Sequence, residues 1–353
     1  MKILHCADFH ITCLKKLLGE DNAYDRAQKA LYALSHVVWE ENPDVIVILG
    51  DIFDDDYPNS DEIFLFNQFL LPILEEGINV LIIPGNHDSE SKGGKTAIDF
   101  LFPFDESLEN FHVALREPKI VCIKGVAFIM WPWGILPKRE DRLLFTQSGG
   151  RYPKKRIGLL HTPLKDSKIS EDGRRLRKGF SITTAKETLK VFNLSYLLLG
   201  DIHEYQVFYD RIIYSGSLYQ TKFDASPTKG VVLIDTDWDT QRFIPIDGVP
   251  LLKTISSPNK INDSDFFKFN TDSKEETLKL LSKDFPPNVV KIEHSLKRQK
   301  QEDIVESNSK VGLKIHLVPI LTRILHKQGV KDIRGAMKYL ISMADSKEDF
   351  ILP

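Results

Sequence analysis

The sequence has few cysteines, no long hydrophobic run and no strong excess of charge of either sign. Its three cysteines, Cys6, Cys13 and Cys122, form no CxxC pair, so the sequence predicts neither a disulfide framework nor a thiolate zinc site. The apolar run Ile3-Leu4 near the start is too short for a signal peptide or a membrane span. We therefore expect a cytoplasmic protein that does not contact a membrane.

The charge balance excludes a protein that coats nucleic acid through its overall field, because the formal net charge is −3 and the pI is about 6.4. A polyanionic substrate would have to meet a local basic patch. On charge alone, a solvated basic loop explains such a patch equally well. The two candidate patches are Lys154, Lys155 and Arg156, and Arg174, Arg175, Arg177 and Lys178.

The first 250 residues alternate short apolar runs with amphipathic stretches, which is typical of an α/β fold. Residues 24–40 have the spacing of an amphipathic helix. We predict two sheets packed face to face and flanked by helices, with functional loops collected at one end. Apolar, β-branched runs predict buried strands at 3–6, 45–49, 80–83, 120–123, 126–130, 157–160, 196–199 and 231–234.

Beyond Pro250 the pattern changes, and three further segments are predicted. Residues 251–296 indicate a small α+β domain with a strand, a helix and a strand. Residues 297–312 are polar and lack periodicity, as a linker does. Residues 313–353 predict a helical hairpin with one apolar face, too small to bury that face alone. Either the main domain of the chain or a partner protein could cover it.

Polar side chains follow five of the predicted strands. Taken singly, each has an ordinary explanation, since Asp and Asn form turns at strand ends and a lone His is often a buried core residue. Five such ends in one domain instead indicate a common site. The residues are Asp8 and His10, Asp51, Asn86 with His87 and Asp88, His161, and Asp201 with His203.

Carboxylate, imidazole and amide donors without cysteine select a hard divalent metal such as Mn²⁺, Fe²⁺ or Zn²⁺, and Mn²⁺ is the first expectation. Asp51 is the natural bridging ligand, because one carboxylate can give an oxygen to each of two cations about 3.5–4 Å apart. The sequence therefore predicts a site for two divalent ions.

In this order, the motifs DxH, GD, GNHD, a later His and a final GxH resemble those of the calcineurin-like metallophosphoesterases. Asp8-Phe9-His10, Gly50-Asp51-Ile52-Phe53-Asp54 and Tyr214-Ser215-Gly216-Ser217 are similar to the SbcD-type DNA repair nucleases, over about residues 1–300. The resemblance implies a metallophosphoesterase sandwich in 1–250, a DNA-capping domain in 251–296 and an ATPase-docking segment in 313–353.

The same resemblance implies a role for each strand-end residue. His87 would stabilise the phosphate or protonate the leaving 3′ oxygen, with Asp88 positioning its ring. The metal ligands implied are Asp8, His10, Asp51 and His203 for one ion, and Asp51, Asn86, His161 and Asp201 for the other.

Asp201 departs from the pattern, because the family ordinarily has GHxH where this chain has Gly200-Asp201-Ile202-His203. The GDxH form is similar to that of some viral members, for which the expected location becomes the host cytoplasm. Aspartate also binds hard cations, so we expect an altered metal preference and not a dead site.

The leading hypothesis is a Mn²⁺-dependent DNA phosphodiesterase with 3′–5′ double-strand exonuclease and single-strand endonuclease activity. The resemblance implies a partner, an SbcC-like coiled-coil ATPase, in DNA end processing, recombination or repair, and a homodimer within a heterotetramer. The residues alone support only metal-assisted phosphoester hydrolysis. Two alternatives are an enzyme for a small phosphodiester or a phosphoprotein, and a non-catalytic DNA-binding scaffold.

Overall fold

The computed structural model describes residues 1–89, 96–143, 153–170, 172–256, 261–271 and 288–294. The chain divides into two compact units, Met1–Leu251 and Leu252–Pro353. The predicted linker 297–312 and helical hairpin 313–353 lie outside the described residues. None of the described helices is long and apolar enough to cross a membrane.

The first unit confirms the predicted α/β sandwich, with two six-stranded sheets among its described residues. Its strands are β1 (Lys2–Cys6), β2 (Val45–Leu49), β3 (Asn79–Ile83), β4 (Phe111–Val113), β5 (Lys119–Ile123), β6 (Val126–Trp131), β7 (Lys155–His161), β8 (Tyr196–Gly200), β9 (Gln206–Phe208), β10 (Ile212–Tyr214), β11 (Gly230–Asp235) and β12 (Thr240–Pro245). The sheet orders are β12-β11-β1-β2-β3-β4 and β5-β6-β7-β8-β10-β9.

Two of the described helices begin at a side chain that satisfies free backbone amides of the first turn. Asn59 accepts hydrogen bonds from the amides of Asp61 and Glu62 at the start of the third helix, and Ser181 accepts one from Thr184 at the start of the fifth. The α-helices are α1 (Lys15–Leu18), α2 (Glu20–Glu41), α3 (Ser60–Glu75), α4 (Phe102–Ser107) and α5 (Ile182–Phe192), with short 3₁₀ helices at Asp99–Leu101 and Arg139–Leu143.

Apolar side chains fill both faces of the central strands, which explains why those strands appear in the sequence as unbroken apolar runs. Between the sheets, Val47 and Leu81 of the first sheet belong to the same buried cluster as Leu159 of the second. The outer face of the first sheet packs against α2 and α3, and that of the second against α5. Apart from the buried His5 of β1, the polar side chains of these central strands stand at the strand ends.

Parallel pairing brings the strand ends that matter to one edge. Strands β1, β2 and β3 are mutually parallel in the first sheet, as are β6, β7 and β8 in the second. The carboxyl ends of parallel strands lie at the same edge of a sheet, and loops that carry function collect there. All five predicted polar strand ends follow strands of these two sets.

The second unit contains a parallel three-stranded sheet with the order β13-β14-β15. Its strands are β13 (Leu252–Ile255), β14 (Phe266–Thr271) and β15 (Val289–His294), and Ile255, Phe267 and Phe269 form its buried cluster. The predicted strand pair corresponds to β14 and β15, whereas β13 was not predicted. The helix predicted at 275–283 lies outside the described residues.

Candidate metal centre

Tight backbone turns carry the polar residues away from the strand ends. Asp8, His10, Asp51 and Asp201 all have positive φ angles, a conformation that polar residues adopt at turns more readily than branched apolar ones do. The amides of Asp8 and His10 donate to the carbonyls of Gly50 and Asp51, at 3.0 and 2.9 Å. The loops after β1 and β2 therefore form one rigid unit.

The first group of donor atoms comes from Asp8, His10, Asp51 and His203, which offer one ligand atom each, all within 4.8 Å of one another. Nε2 of His10 lies 3.0 Å from Nε2 of His203 and 3.5 Å from Oδ2 of Asp51. Oδ1 of Asp8 lies 3.9 Å from Nε2 of His203. The four atoms surround a space that a single divalent ion fits.

The second group surrounds Nε2 of His161. That nitrogen lies 3.1 Å from Oδ1 of Asn86, 3.6 Å from Oδ1 of Asp51 and 3.8 Å from Oδ1 of Asp201. Asp51 therefore presents Oδ2 to the first group and Oδ1 to the second, which is the arrangement expected of a bridging carboxylate.

The remaining ring nitrogens of the three histidines are already bound. Nδ1 of His161 is 2.7 Å from the carbonyl of Leu49, Nδ1 of His203 is 2.7 Å from Oγ1 of Thr221, and Nδ1 of His10 is 3.1 Å from Oδ1 of Asp54. These contacts fix each ring and favour the tautomer that leaves Nε2 unprotonated for a metal.

Burial of several carboxylates together is electrostatically costly. Burial raises the pKa of Asp8 to about 7, and the neighbouring charges of Asp51 and Asp201 add to the effect. Burial alone would lower the pKa of His10, but its hydrogen bond to Asp54 and the charges of Asp51 and Asp8 raise it to about 9. Divalent cations would neutralise these carboxylates, so both the donor set and its charge fit a pair of metal ions.

Comparison with known families agrees with this geometry, because the family model described as calcineurin-like phosphoesterase matches residues 1–205. The chain belongs to this family. Similar solved structures include a protein of Thermus thermophilus, at 14% identity and a TM-score of 0.45, over 70% of this chain and 99% of that one. An archaeal phosphodiesterase is similar at 15% identity and a TM-score of 0.33, over 69% of this chain and 99% of that one. The anchor protein of the inner membrane complex of Plasmodium is similar at 10% identity and a TM-score of 0.40, over 70% of this chain and 89% of that one.

His87 is the exposed member of this phosphoesterase centre. Its amide donates to Oδ1 of Asp51 at 2.8 Å, and its ring lies edge-on to that of His10 with 4.7 Å between centroids. Nδ1 of His87 is 2.8 Å from the carbonyl of Asp54. An Nδ1–H donated to that carbonyl orients the ring and leaves Nε2 for a substrate.

The contact predicted between Asp88 and the ring of His87 is wrong. Asp88 is fully buried, and its carboxylate accepts backbone hydrogen bonds from Ile52 at 3.2 Å, Phe53 at 3.1 Å and Gly85 at 2.9 Å. Asp88 therefore joins the loop after β2 to the loop after β3, and the Asp54 carbonyl orients His87 in its place.

The first basic patch lies at the amino end of β7, whereas His161 lies at the carboxyl end of the same strand. At a rise of about 3.3 Å per residue, Lys155 is roughly 20 Å from His161. Lys155 also donates to the carbonyl of Thr236, and Arg156 to those of Pro153 and Phe192. Lys154, Lys155 and Arg156 are therefore too distant to hold a phosphate at the metal centre.

The second basic patch lies in the loop 163–180, beside the metal centre. The amide of Lys168 donates to Oε1 of Gln206 at 2.6 Å, and Lys222 donates to the carbonyl of Ile169 at 2.9 Å. These two partners are close in sequence to His203 and to its hydrogen-bond partner Thr221. The loop is thus held against the segments that carry one metal ligand.

The four basic residues of this second patch have different surroundings. Arg174 pairs with Asp172 and with Asp224, so its charge is balanced by carboxylates. Arg175 donates to the carbonyl of Asp166 at 2.7 Å. Arg177 and Lys178 are exposed, and none of the ion pairs found within the described ranges includes them. Their charges are therefore the members of this patch that face solvent without a carboxylate partner among the described residues.

Three residues of the centre had no predicted role: Asp54, Thr221 and Tyr219. Asp54 could have been found from its position in the motif at 50–54, since a carboxylate commonly receives the second ring N–H of a ligating histidine. Thr221 and Tyr219 carry no such signal, because only the folded chain brings them to His203 and His10.

Proposed function

We propose that this member of the calcineurin-like phosphoesterase family is a two-metal phosphodiesterase that acts on DNA, with Mn²⁺ as its expected metal. The observation that carries the proposal is the division of the Asp51 carboxylate between two groups of donors, with exposed His87 beside both. One ion would be held by Asp8, His10, Asp51 and His203, and the other by Asp51, Asn86, His161 and Asp201.

A bound pair of divalent ions would lower the pKa of a water molecule and neutralise charge on the phosphorus centre. His87 would supply the hydrogen bond or proton that the metal ions do not. Because its Nδ1 is held by the Asp54 carbonyl, the protonated ring donates from Nε2, either to a phosphoryl oxygen or to the leaving oxygen. Asp8, His10 and His161 are buried, whereas His87 is exposed. A substrate would therefore approach the centre from the side of His87.

The decisive assay compares phosphodiester hydrolysis by the wild-type chain and by His87→Ser, with Mn²⁺ and with a chelator. Wild-type activity should need the metal, and His87→Ser should lose roughly 10²- to 10⁴-fold in rate, as expected for a general acid. Mn²⁺ affinity should stay unchanged, because His87 is not proposed as a ligand. Full activity in His87→Ser would refute its catalytic role.

Two features support DNA over a small phosphodiester. The motifs at 8–10, 50–54 and 214–217 resemble those of SbcD-type nucleases, and the loop that carries the exposed Arg177 and Lys178 is hydrogen-bonded, through Lys168 and Ile169, to the segments that carry His203 and Thr221. Phosphate contacts by such residues hold nucleic acid in register without reading its sequence. The exonuclease and endonuclease activities expected from the resemblance are part of this proposal.

Reversing the charge at Arg177 and Lys178 tests the substrate directly. The double variant Arg177→Glu/Lys178→Glu should weaken hydrolysis of duplex ends about tenfold or more. The slope of log activity against log salt concentration should fall by about two, because two phosphate contacts are lost. Hydrolysis of a chromogenic phosphodiester should not change. The control is Lys190→Glu, an exposed position in the last turn of α5. Equal losses on both substrates, or loss on neither, would argue for the small-substrate alternative.

The proposed partner is an SbcC-like coiled-coil ATPase, in a heterotetramer built on a homodimer of this chain. The support is the apolar stripe in the sequence of 313–353, together with the family resemblance. The proposed DNA-capping role of 251–296 has the same basis. A pull-down that retains the ATPase with the full chain and loses it on deletion of 313–353 is the expected result.

A further inference from the structure

A buried arginine lies behind the metal centre. Arg26, in α2, has 0% exposure, and the ion pairs among the described residues do not include it. Its Nε donates to the carbonyl of Pro250 at 3.1 Å and its Nη2 to the carbonyl of Gln220 at 2.8 Å. The guanidinium carbon lies 5.0 Å from the ring centroid of Tyr219. Nη1 is buried without a hydrogen-bond partner among the described residues.

Packing alone does not account for arginine at this position. Burying a guanidinium without a carboxylate costs free energy, and the unsatisfied Nη1 adds to that cost. A methionine side chain could fill much of the same space without either cost. The contacts that favour a guanidinium are those with the two backbone carbonyls and the aromatic ring, and Arg26 also interacts with the thiol of Cys13.

Those contacts hold the segment 219–221, which supports two of the proposed ligands. The hydroxyl of Tyr219 donates to the carbonyl of His10 at 2.7 Å, and Oγ1 of Thr221 is 2.7 Å from Nδ1 of His203. Gln220, between them, is the residue whose carbonyl Arg26 binds. One guanidinium on a rigid helix therefore fixes the supports of His10 and His203 together.

Arg26 also links this segment to the end of the first unit. Pro250 lies two residues before Leu252, where the second unit begins. Because Nε and Nη2 belong to one planar group, the carbonyls of Pro250 and Gln220 cannot move independently while both bonds are kept. A displacement of the chain at Pro250 would therefore reach segment 219–221.

We infer that Arg26 is a positioning residue for the metal held by Asp8, His10, Asp51 and His203, acting through Tyr219 and Thr221. The inference rests on the proposed two-metal site. The second group of donors is supported separately: His161 is held by the carbonyl of Leu49, and Asp88 ties the loop that carries Asn86 to the loop after β2. Loss of Arg26 should therefore weaken one metal and spare the other.

The test is calorimetric titration of the full-length, metal-free chain with Mn²⁺, for wild type, Arg26→Met and Arg26→Lys. Wild type should bind two ions. In Arg26→Met one of them should bind about tenfold more weakly, in the range known for residues that orient ligands, while the other is unchanged. Arg26→Lys keeps the charge but not the planar pair of donors, so the same ion should be affected to a smaller extent.

Two further variants keep the test decisive if Arg26→Met folds poorly. Tyr219→Phe removes only the hydroxyl bound to the His10 carbonyl and should weaken the same ion. Arg211→Met is the control: Arg211 also donates to a backbone carbonyl, of Ser195 at 2.9 Å, and lies 5.8 Å from the ring of Tyr196, but it is exposed and pairs with Asp239. It should leave both ions unchanged.

The outcomes separate the inference from the proposed function. If wild type binds no Mn²⁺, the proposed metal site fails. If wild type binds two ions and the Arg26 and Tyr219 variants bind both with wild-type affinity, the site stands and the positioning role is refuted. Equal weakening of both ions, with a lower melting temperature of the metal-free chain, would mean that Arg26 is only a packing residue. Selective weakening of one ion in both Arg26→Met and Tyr219→Phe supports the inference.

Discussion

Asp51 is held in place by the backbone around it, which matters because both proposed ions depend on its carboxylate. The backbone carbonyl of Asp51 accepts a hydrogen bond from the amide of His10, and its Oδ1 accepts one from the amide of His87 at 2.8 Å. The carboxylate is only 3% exposed. A ligand fixed by main-chain contacts needs no reorganisation when metals bind. The residue that both proposed ions share is therefore already in position.

Asp201 stands where the resemblance to the metallophosphoesterases leads us to expect a histidine, and it is less buried than Asp8 or His161. Its amide donates to Oδ1 of Asp8 at 3.0 Å, and its own Oδ1 faces His161. Burial raises the pKa of Asp201, and the charge of Asp51 contributes. An additional carboxylate at this position favours hard cations.

Replacing Asp201 by histidine should therefore change metal preference more than fold. We expect Asp201→His to raise the affinity for Zn²⁺ relative to Mn²⁺ by about tenfold, because imidazole is the softer donor. Competition binding with both metals measures the ratio, and Asp210→His, at an exposed turn, serves as the control. An unchanged ratio would show that Asp201 does not ligate.

The strand-end loops are the elements that bring the two sheets together at the centre. Gly50 follows β2 with a φ of 82°, and a Cβ at this position would overlap Nδ1 of His161 and the backbone of Gly85. Gly85 in turn lies against Asp51, and a Cβ there would overlap its carboxylate. Close backbone approach is thus required between the loops after β2 and β3 and the end of β7.

Gly50→Ala should disturb metal binding as well as stability. The matched control is Gly77→Ala, because Gly77 has a φ of 75° but open space where its Cβ would lie. Both variants should lose about 1–2 kcal/mol for the left-handed backbone. Only Gly50→Ala should also lose at least about tenfold in Mn²⁺ affinity, through displacement of His161. Titration calorimetry and thermal melts measure both effects; equal Mn²⁺ affinities would contradict the prediction.

At the scale of the whole molecule, the centre makes stability depend on pH. Asp8, with its pKa raised to about 7, and His10, with its pKa raised to about 9, both hold protons in the folded chain that the unfolded chain releases. Stability supplied by such groups is present at low pH and is lost as the pH rises through the folded pKa. Metal binding displaces these protons, so its own pH dependence has the opposite sign.

The metal-free chain should therefore be less stable at pH 8.5 than at pH 6.5, by an amount on the order of 1 kcal/mol. The increase in melting temperature on adding Mn²⁺ should be larger at pH 8.5 than at pH 6.5. Thermal melts with a chelator and with Mn²⁺ measure both quantities. His10→Gln is the control, and it should reduce the pH dependence; a variant with the full wild-type dependence would exclude His10 as the source.

The sequence alone determined which strands are buried and which residue types stand at their ends. Continuous apolar runs predict strands covered on both faces, and this held for the main strands because burial on both sides leaves no alternation to misread. In the first unit, the short strands β4, β9 and β10 and the edge strand β12 were missed. The first three have only three residues each, and β12 has an exposed face.

The tertiary structure decided what holds each of those strand-end residues. Asp88 lies next to His87 in sequence, yet its carboxylate binds three amides and Asp54 orients the ring, because the loop after β3 folds onto the loop after β2. Lys155 and His161 share one strand, but the length of that strand separates them. Arg26 and Tyr219 are in contact although they lie almost two hundred residues apart in the sequence. Such contacts depend on distances in the folded chain, which local patterns of residue type do not contain.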